Sequence, residues 1–103
     1  MAGSDETHAR TVRKEMGINH ADFFRILPRA LNAIPYVVNG TEIVAEGEGM
    51  RLRIVLGEER ERILGAVVRI PVTFVELRFE GYAAEEQAAF LEQFDRAYFK
   101  GGG

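Results

Sequence analysis

The fold of this chain is decided by residues 36–80, whose sequence is YVVNGTEIVAEGEGMRLRIVLGEERERILGAVVRIPVTFVELRFE. Apolar residues, many of them β-branched, alternate with charged residues through most of the stretch, and a period of two is typical of half-buried strands. Glycine and proline interrupt the alternation at short intervals. The stretch therefore predicts an antiparallel meander of about five strands.

Turn residues predict how these strands pair. The four predicted turns lie at residues 39–40, 48–49, 58–59 and 69–71. The first is an Asn-Gly pair, which suits a two-residue hairpin turn because both positions need positive φ. The second turn places Glu46 opposite Arg51. A one-residue error in any hairpin would exchange the two faces of that strand.

The resulting register predicts one apolar sheet face that packs on the rest of the domain. Its members are Tyr36, Val38, Ile43, Ala45, Met50, Leu52, Ile54, Leu56, Ile63, Val67, Val75, Leu77 and Phe79. Two amphipathic helices flank the sheet in the sequence. The first follows an N-cap at Asn19 and is kinked or divided at Pro28, and the second covers residues 84–99. Its buried stripe is Phe90, Leu91, Phe94, Ala97 and Tyr98.

One sheet face and two helix stripes are most simply buried together in a two-layer α+β sandwich, with both helices on the same side of the sheet. Residues 18–100 form this single domain. Residues 1–17 are predicted to be a flexible N-terminal arm, and residues 101–103, all glycine, a flexible tail after the second helix.

The composition restricts the function classes. The 103 residues carry a net charge of −3 and include no cysteine, so nucleic-acid binding is unfavourable and thiolate chemistry is absent. No apolar run is long enough to span a membrane, which predicts a cytoplasmic protein without a membrane partner. His8, His20 and Ser4 form no catalytic or metal-binding group, and His20 is expected to be structural. We predict no enzyme activity, cofactor or metal.

The opposite sheet face carries an apolar patch on the fourth and fifth predicted strands. An apolar centre with an arginine rim is typical of a protein interface, which predicts a homodimer or a protein partner. The patch consists of Leu64, Ala66, Val68, Val72 and Phe74, and the arginines are Arg53, Arg62 and Arg78. Two alternatives remain: the N-terminal arm covers the patch, or a bulge near Gly65 turns part of it inward.

Two other functions are compatible with the sequence. The arginines of the outer face could bind a phosphate-bearing ligand or nucleic acid, with Phe74 as a stacking platform. The terminal glycines resemble the Gly-Gly ends of ubiquitin-like carrier proteins, a resemblance that implies a carrier acting through Gly102 and Gly103.

Overall fold

The computed structural model describes residues 10–102 and the side chains of residues 10–99. These residues form two helices and six strands, and both helices pack on one face of a six-stranded antiparallel sheet. The order is β1 (Arg10–Met16), α1 (His20–Leu31), β2 (Tyr36–Asn39), β3 (Glu42–Gly47), β4 (Met50–Leu56), β5 (Arg60–Leu64), β6 (Val68–Glu80) and α2 (Ala84–Gly102). The predicted α+β sandwich is confirmed.

The sheet has the order β1-β6-β4-β3-β2, and β5 pairs with β6 outside this path. Its helix-facing side buries most of the predicted inner face, namely Ile43, Ala45, Leu52, Ile54, Leu56, Val75, Leu77 and Phe79. Tyr36 and Met50 are partly buried against the same core. The prediction is wrong for Val38, Ile63 and Val67, which are exposed.

Local interactions at the helix ends match the sequence signals. The Asn19 side chain accepts a hydrogen bond of 2.7 Å from the Asp22 backbone N–H, which confirms the predicted N-cap of α1. At α2, the Glu86 side chain accepts a 2.8 Å bond from the Ala83 backbone N–H. Pro28 lies inside α1 and is exposed, and the helix is not divided there.

The two ends of the chain differ from the prediction. Residues 10–16, assigned to the flexible N-terminal arm, form β1, in which Val12 lies opposite Leu77 of β6. Val12, Lys14 and Met16 form the row of β1 side chains that faces the helices, and the lysine in this row hides the apolar alternation in the sequence. The Lys14 Nζ lies 3.0 Å from the Asp95 carboxylate of α2. Gly101 and Gly102 belong to α2, because glycine weakens a helix without forbidding it. Residues 1–9 and residue 103 lie outside the described part.

The first two hairpins follow the predicted faces. In the first, Asn39 pairs with Glu42, so the turn residues are Gly40 and Thr41 and not Asn39 and Gly40. This shift of two residues in the pairing leaves the faces unchanged, since side chains alternate with a period of two. In the second hairpin Glu46 lies opposite Arg51, as predicted.

The third and fourth predicted turns are wrong, because β4 pairs with β6 and the hairpin reverses at residues 65–67. Between the paired segments, residues 57–59 lie against residues 73–74, a bulge of one residue. The Gly57 N–H donates a 2.8 Å bond to the Phe74 carbonyl, so the chain continues along β6. Gly65, with φ of 68°, supplies the left-handed residue of the real turn.

The buried Tyr98 of α2 predicts a loss of stability at alkaline pH. Burial, and then the nearby Tyr36, raises the pKa of its hydroxyl far above the ordinary value of 10.0. Above pH 10 the unfolded chain releases this proton while the folded chain keeps it. The contribution of Tyr98 to stability is therefore fully present below pH 10. The free energy of unfolding should decrease as the pH rises from the pKa of Tyr98 in the unfolded chain toward its higher pKa in the folded chain.

Tyr98→Phe tests this expectation. The variant loses the 2.9 Å bond from the Tyr98 hydroxyl to the Phe23 carbonyl, at a cost of about 1 kcal/mol at neutral pH. Urea unfolding at neutral pH and at about pH 11 should show a smaller alkaline loss for the variant than for the wild type. Equal losses in both proteins would contradict the role given to Tyr98.

Candidate protein-binding surface

A two-stranded extension projects beyond the sheet, formed by β5 and the first residues of β6. We call residues 60–72 the hairpin arm. Its strands pair from Arg60 opposite Val72 to Leu64 opposite Val68, and β1 reaches β6 only from Thr73 onward. At about 3.3 Å per residue, the 13 residues of β6 are roughly 43 Å long, which accounts for most of the 52 Å long axis of the molecule.

The distal end of the hairpin arm exposes large apolar side chains on both faces, and Arg69 lies opposite Ile63. Residues 63–68 have the sequence ILGAVV. Leu64 and Val68 oppose each other on one face and are 46% and 49% exposed. Ile63 lies on the other face and is 60% exposed, and Val67 in the turn is 85% exposed. Adjacent exposed apolar side chains make the tip a candidate interaction site.

The structure divides the predicted patch. Leu64, Ala66 and Val68 lie near the tip of the hairpin arm, whereas Phe74 lies at its base. Phe74 is 49% exposed and borders a depression of about 360 Å³ that Val55 also lines. The predicted patch is therefore two apolar areas, one at the tip and one at the base.

Val72 between them is only 7% exposed, contrary to the prediction. The register explains this burial. Arg62 lies beside Ile70 on one side of β6 and Glu15 lies beside Phe74 on the other, and the two side chains form an ion pair. This pair crosses β6 at the level of Val72, and the aliphatic part of the arginine side chain can cover an apolar neighbour.

The remaining predicted rim arginines lie on the main sheet and do not surround the tip. Arg53 and Arg78 oppose each other and line, with Arg51, a depression of about 210 Å³. Each has a carboxylate partner, and the nitrogen–oxygen distances are Arg51–Glu46 2.6 Å, Arg53–Glu42 2.9 Å and Arg78–Glu76 2.5 Å. The bond to Glu46 raises the pKa of Arg51, and the bond from Arg78 lowers that of Glu76. These carboxylates offset the attraction for a phosphate group.

The base of the hairpin arm is fixed to the helical layer. The His20 backbone N–H donates a 2.9 Å bond to the Glu59 carboxylate, and His20 Nε2 lies 2.7 Å from the Gly57 carbonyl oxygen. The buried Thr73 hydroxyl donates a 2.8 Å bond to the Ile18 carbonyl. His20 therefore joins the start of α1 to the segment between β4 and β5. Sequence reasoning missed its partners, because they lie 37 and 39 residues away.

Comparison of the chain with protein-family models, curated proteins and solved structures finds no match. Within residues 10–102, no group of three or more His, Asp or Glu side chains is arranged to hold a metal ion. In the same part of the chain, neither helix is long and apolar enough to cross a membrane.

Proposed function

We propose that the chain is a protein-binding domain whose docking element is the hairpin arm, and that it self-associates through this arm. The observation that carries the proposal is the exposure of four apolar side chains near the tip of the hairpin arm, namely Ile63, Leu64, Val67 and Val68. The base of the arm is held by hydrogen bonds to the start of α1 and to the residues before it. Apolar side chains on a preorganised element gain binding energy without a large ordering cost.

β1 does not cover the tip. Its last residue, Met16, lies opposite Thr73, and its first, Arg10, lies opposite Phe79, which is twelve residues or roughly 40 Å along the chain from Val67. Among the described residues, the exposed side chains of the tip therefore support contact with a second molecule.

The faces and tip of the hairpin arm are better suited to docking than its free edge. β5 carries Arg60, Glu61 and Arg62 among its five residues, and charged side chains along an edge oppose the addition of another strand. Antiparallel pairing of two β5 edges about Arg62 would also place two arginines directly opposite each other. Side-chain burial is the favoured mode of contact.

The proposal is tested by the absolute mass in solution of the wild type and of Leu64→Glu. We expect the wild-type mass to exceed the 11.5 kDa of one chain as concentration rises, and Leu64→Glu to remain a monomer. The matched control is Val37→Glu, because Val37 is 70% exposed on β2, away from the hairpin arm. Light scattering after size exclusion provides the masses.

The control distinguishes a specific docking surface from nonspecific hydrophobic association. Equal loss of association in Leu64→Glu and Val37→Glu would contradict a site on the hairpin arm. A wild-type mass of one chain at every concentration would contradict self-association. Both variants replace exposed side chains, so their thermal unfolding should match the wild type.

A further inference from the structure

An apolar hollow of about 340 Å³ lies at the end of the molecule opposite the hairpin tip. It is lined by Asn32, Ala33, Ile34, Pro35, Gly47, Glu48, Met50 and Tyr82. The lining comes from the end of α1, the β3–β4 turn and the segment after β6. β4 begins and β6 ends near the hollow, whereas β6 begins in the hairpin arm, so the hollow and the tip lie at opposite ends of the long axis.

The backbone around the hollow is unusual. Three non-glycine residues have positive φ, namely Asn32 at 51°, Ala33 at 75° and Glu48 at 53°, and all three line it. Asn32 is the C-cap of α1, where such a conformation is common, but alanine gains nothing from it. Strained residues cluster at binding sites, where the surrounding structure holds them in place.

The two ends of the molecule carry opposite charge. The hairpin arm contains Arg60, Arg62 and Arg69 against Glu61, a formal charge of 3 − 1 = +2. The residues of the hollow end include five carboxylates against three arginines, a formal charge of 3 − 5 = −2. The carboxylates are Glu46, Glu48, Glu80, Glu85 and Glu86, and the arginines are Arg10, Arg29 and Arg51.

We infer that the hairpin tip of one chain inserts into the hollow of a second copy, so that the chains associate head to tail. This inference rests on the proposed self-association and adds the acceptor. A hollow can cover Ile63, Leu64 and Val67 on both faces of the tip at once, and its acidic surroundings complement the basic arm. A tip and a distant hollow form a heterologous interface, which extends into chains of molecules unless it closes into a ring.

A two-fold dimer fits the same observations less well. Packing the Leu64 faces of two arms together would leave Ile63 exposed on the other face. It would also bring two arms of formal charge +2 together, and like charges in contact are unfavourable. In the head-to-tail arrangement Phe74, at the base of the arm, takes no part.

Two variants that each block one end test the inference. Val67→Glu places a charge at the tip and leaves the hollow intact. Gly47→Arg places a large cationic side chain at the hollow and leaves the tip intact, and a Cβ at Gly47 meets no atom within 4 Å. Each variant alone should associate at least about tenfold more weakly than the wild type, as expected for losing a central contact.

Mixing the two variants gives the decisive result. Val67→Glu retains the hollow and Gly47→Arg retains the tip, so one intact interface forms between them and none remains to extend it. An equimolar mixture should reach about 23 kDa, twice the 11.5 kDa of one chain, and no more. The wild type should continue to grow beyond that mass as its concentration rises.

Other outcomes separate this inference from the proposed function. Wild-type association in Gly47→Arg would overturn the hollow as acceptor and leave the hairpin arm as docking element. A wild-type mass that saturates at two chains and is lost in Phe74→Glu would establish a two-fold contact and overturn the head-to-tail arrangement. Wild-type association in Val67→Glu would overturn the inference, since its tip is then not required. Circular dichroism of each variant should show the wild-type fold.

Discussion

Gly81→Ala should destabilise the domain by more than about 3 kcal/mol, or prevent it from folding. Gly81 follows β6 with φ of 81°, and a Cβ at this position would lie only 2.3 Å from the Gly49 carbonyl oxygen. That oxygen belongs to the backbone of the β3–β4 turn, so it cannot move aside as the end of a flexible side chain could. The substitution adds this clash to the cost of a left-handed alanine.

Gly49→Ala is the matched control for this prediction. Gly49 also has φ of 81°, but a Cβ there meets no atom within 4 Å. Its cost is therefore that of the backbone conformation alone, about 1–2 kcal/mol. Chemical denaturation of the wild type and both variants gives the two differences. Equal losses of stability would show that the close approach to Gly49 does not constrain the fold.

The sheet faces could be predicted from the sequence because a strand repeats every two residues. The hairpin predicted at Asn39 and Gly40 illustrates this. Its turn lies one residue later than predicted, and the pairing of β2 with β3 is therefore shifted by two residues. Because the shift is an even number, Ile43 and Ala45 remain on the buried face. In the second hairpin both predicted turn residues, Glu48 and Gly49, have positive φ. Local turn chemistry was therefore sufficient for the register of the second hairpin, whereas in the first it predicted the faces and missed the register.

The hairpin arm could not be predicted in this way. Glu58 and Glu59 were expected to reverse the chain, but they lie in a bulge that lets β4 continue into β5. The glutamate at 59 accepts its bond from His20, a partner that no local pattern identifies. β4 instead pairs with β6, which is distant in sequence. This pairing makes β5 and the start of β6 project beyond the sheet, and Ile63 and Val67 are exposed there.

The strand β1 was missed for a related reason. Its inward row alternates Val12, Lys14 and Met16, and a lysine in such a row normally argues against burial. The Lys14 side chain is tolerated because Asp95 of α2 faces it across the layer. The sequence contains both residues, but their proximity follows only from the fold.

Phe94→Ala should lower the stability by about 3–5 kcal/mol, because it empties the centre of the helix–sheet interface. Phe94 is fully buried, and its ring centroid lies 4.8 Å from that of Tyr98, 5.8 Å from Phe90 and 6.5 Å from Phe23. Removing the ring therefore leaves a cavity between α1 and α2. We expect the thermal midpoint to fall by more than about 12 °C.

Phe99→Ala makes the same chemical change five residues further along α2. Phe99 is 81% exposed, so its loss should change the free energy of unfolding by no more than about 0.5 kcal/mol. Differential scanning calorimetry of both variants measures the contrast. A large loss for Phe99→Ala would mean that this side chain is covered in solution by another molecule. In that case the midpoint of the wild type should also increase with protein concentration, because association stabilises the folded state by mass action.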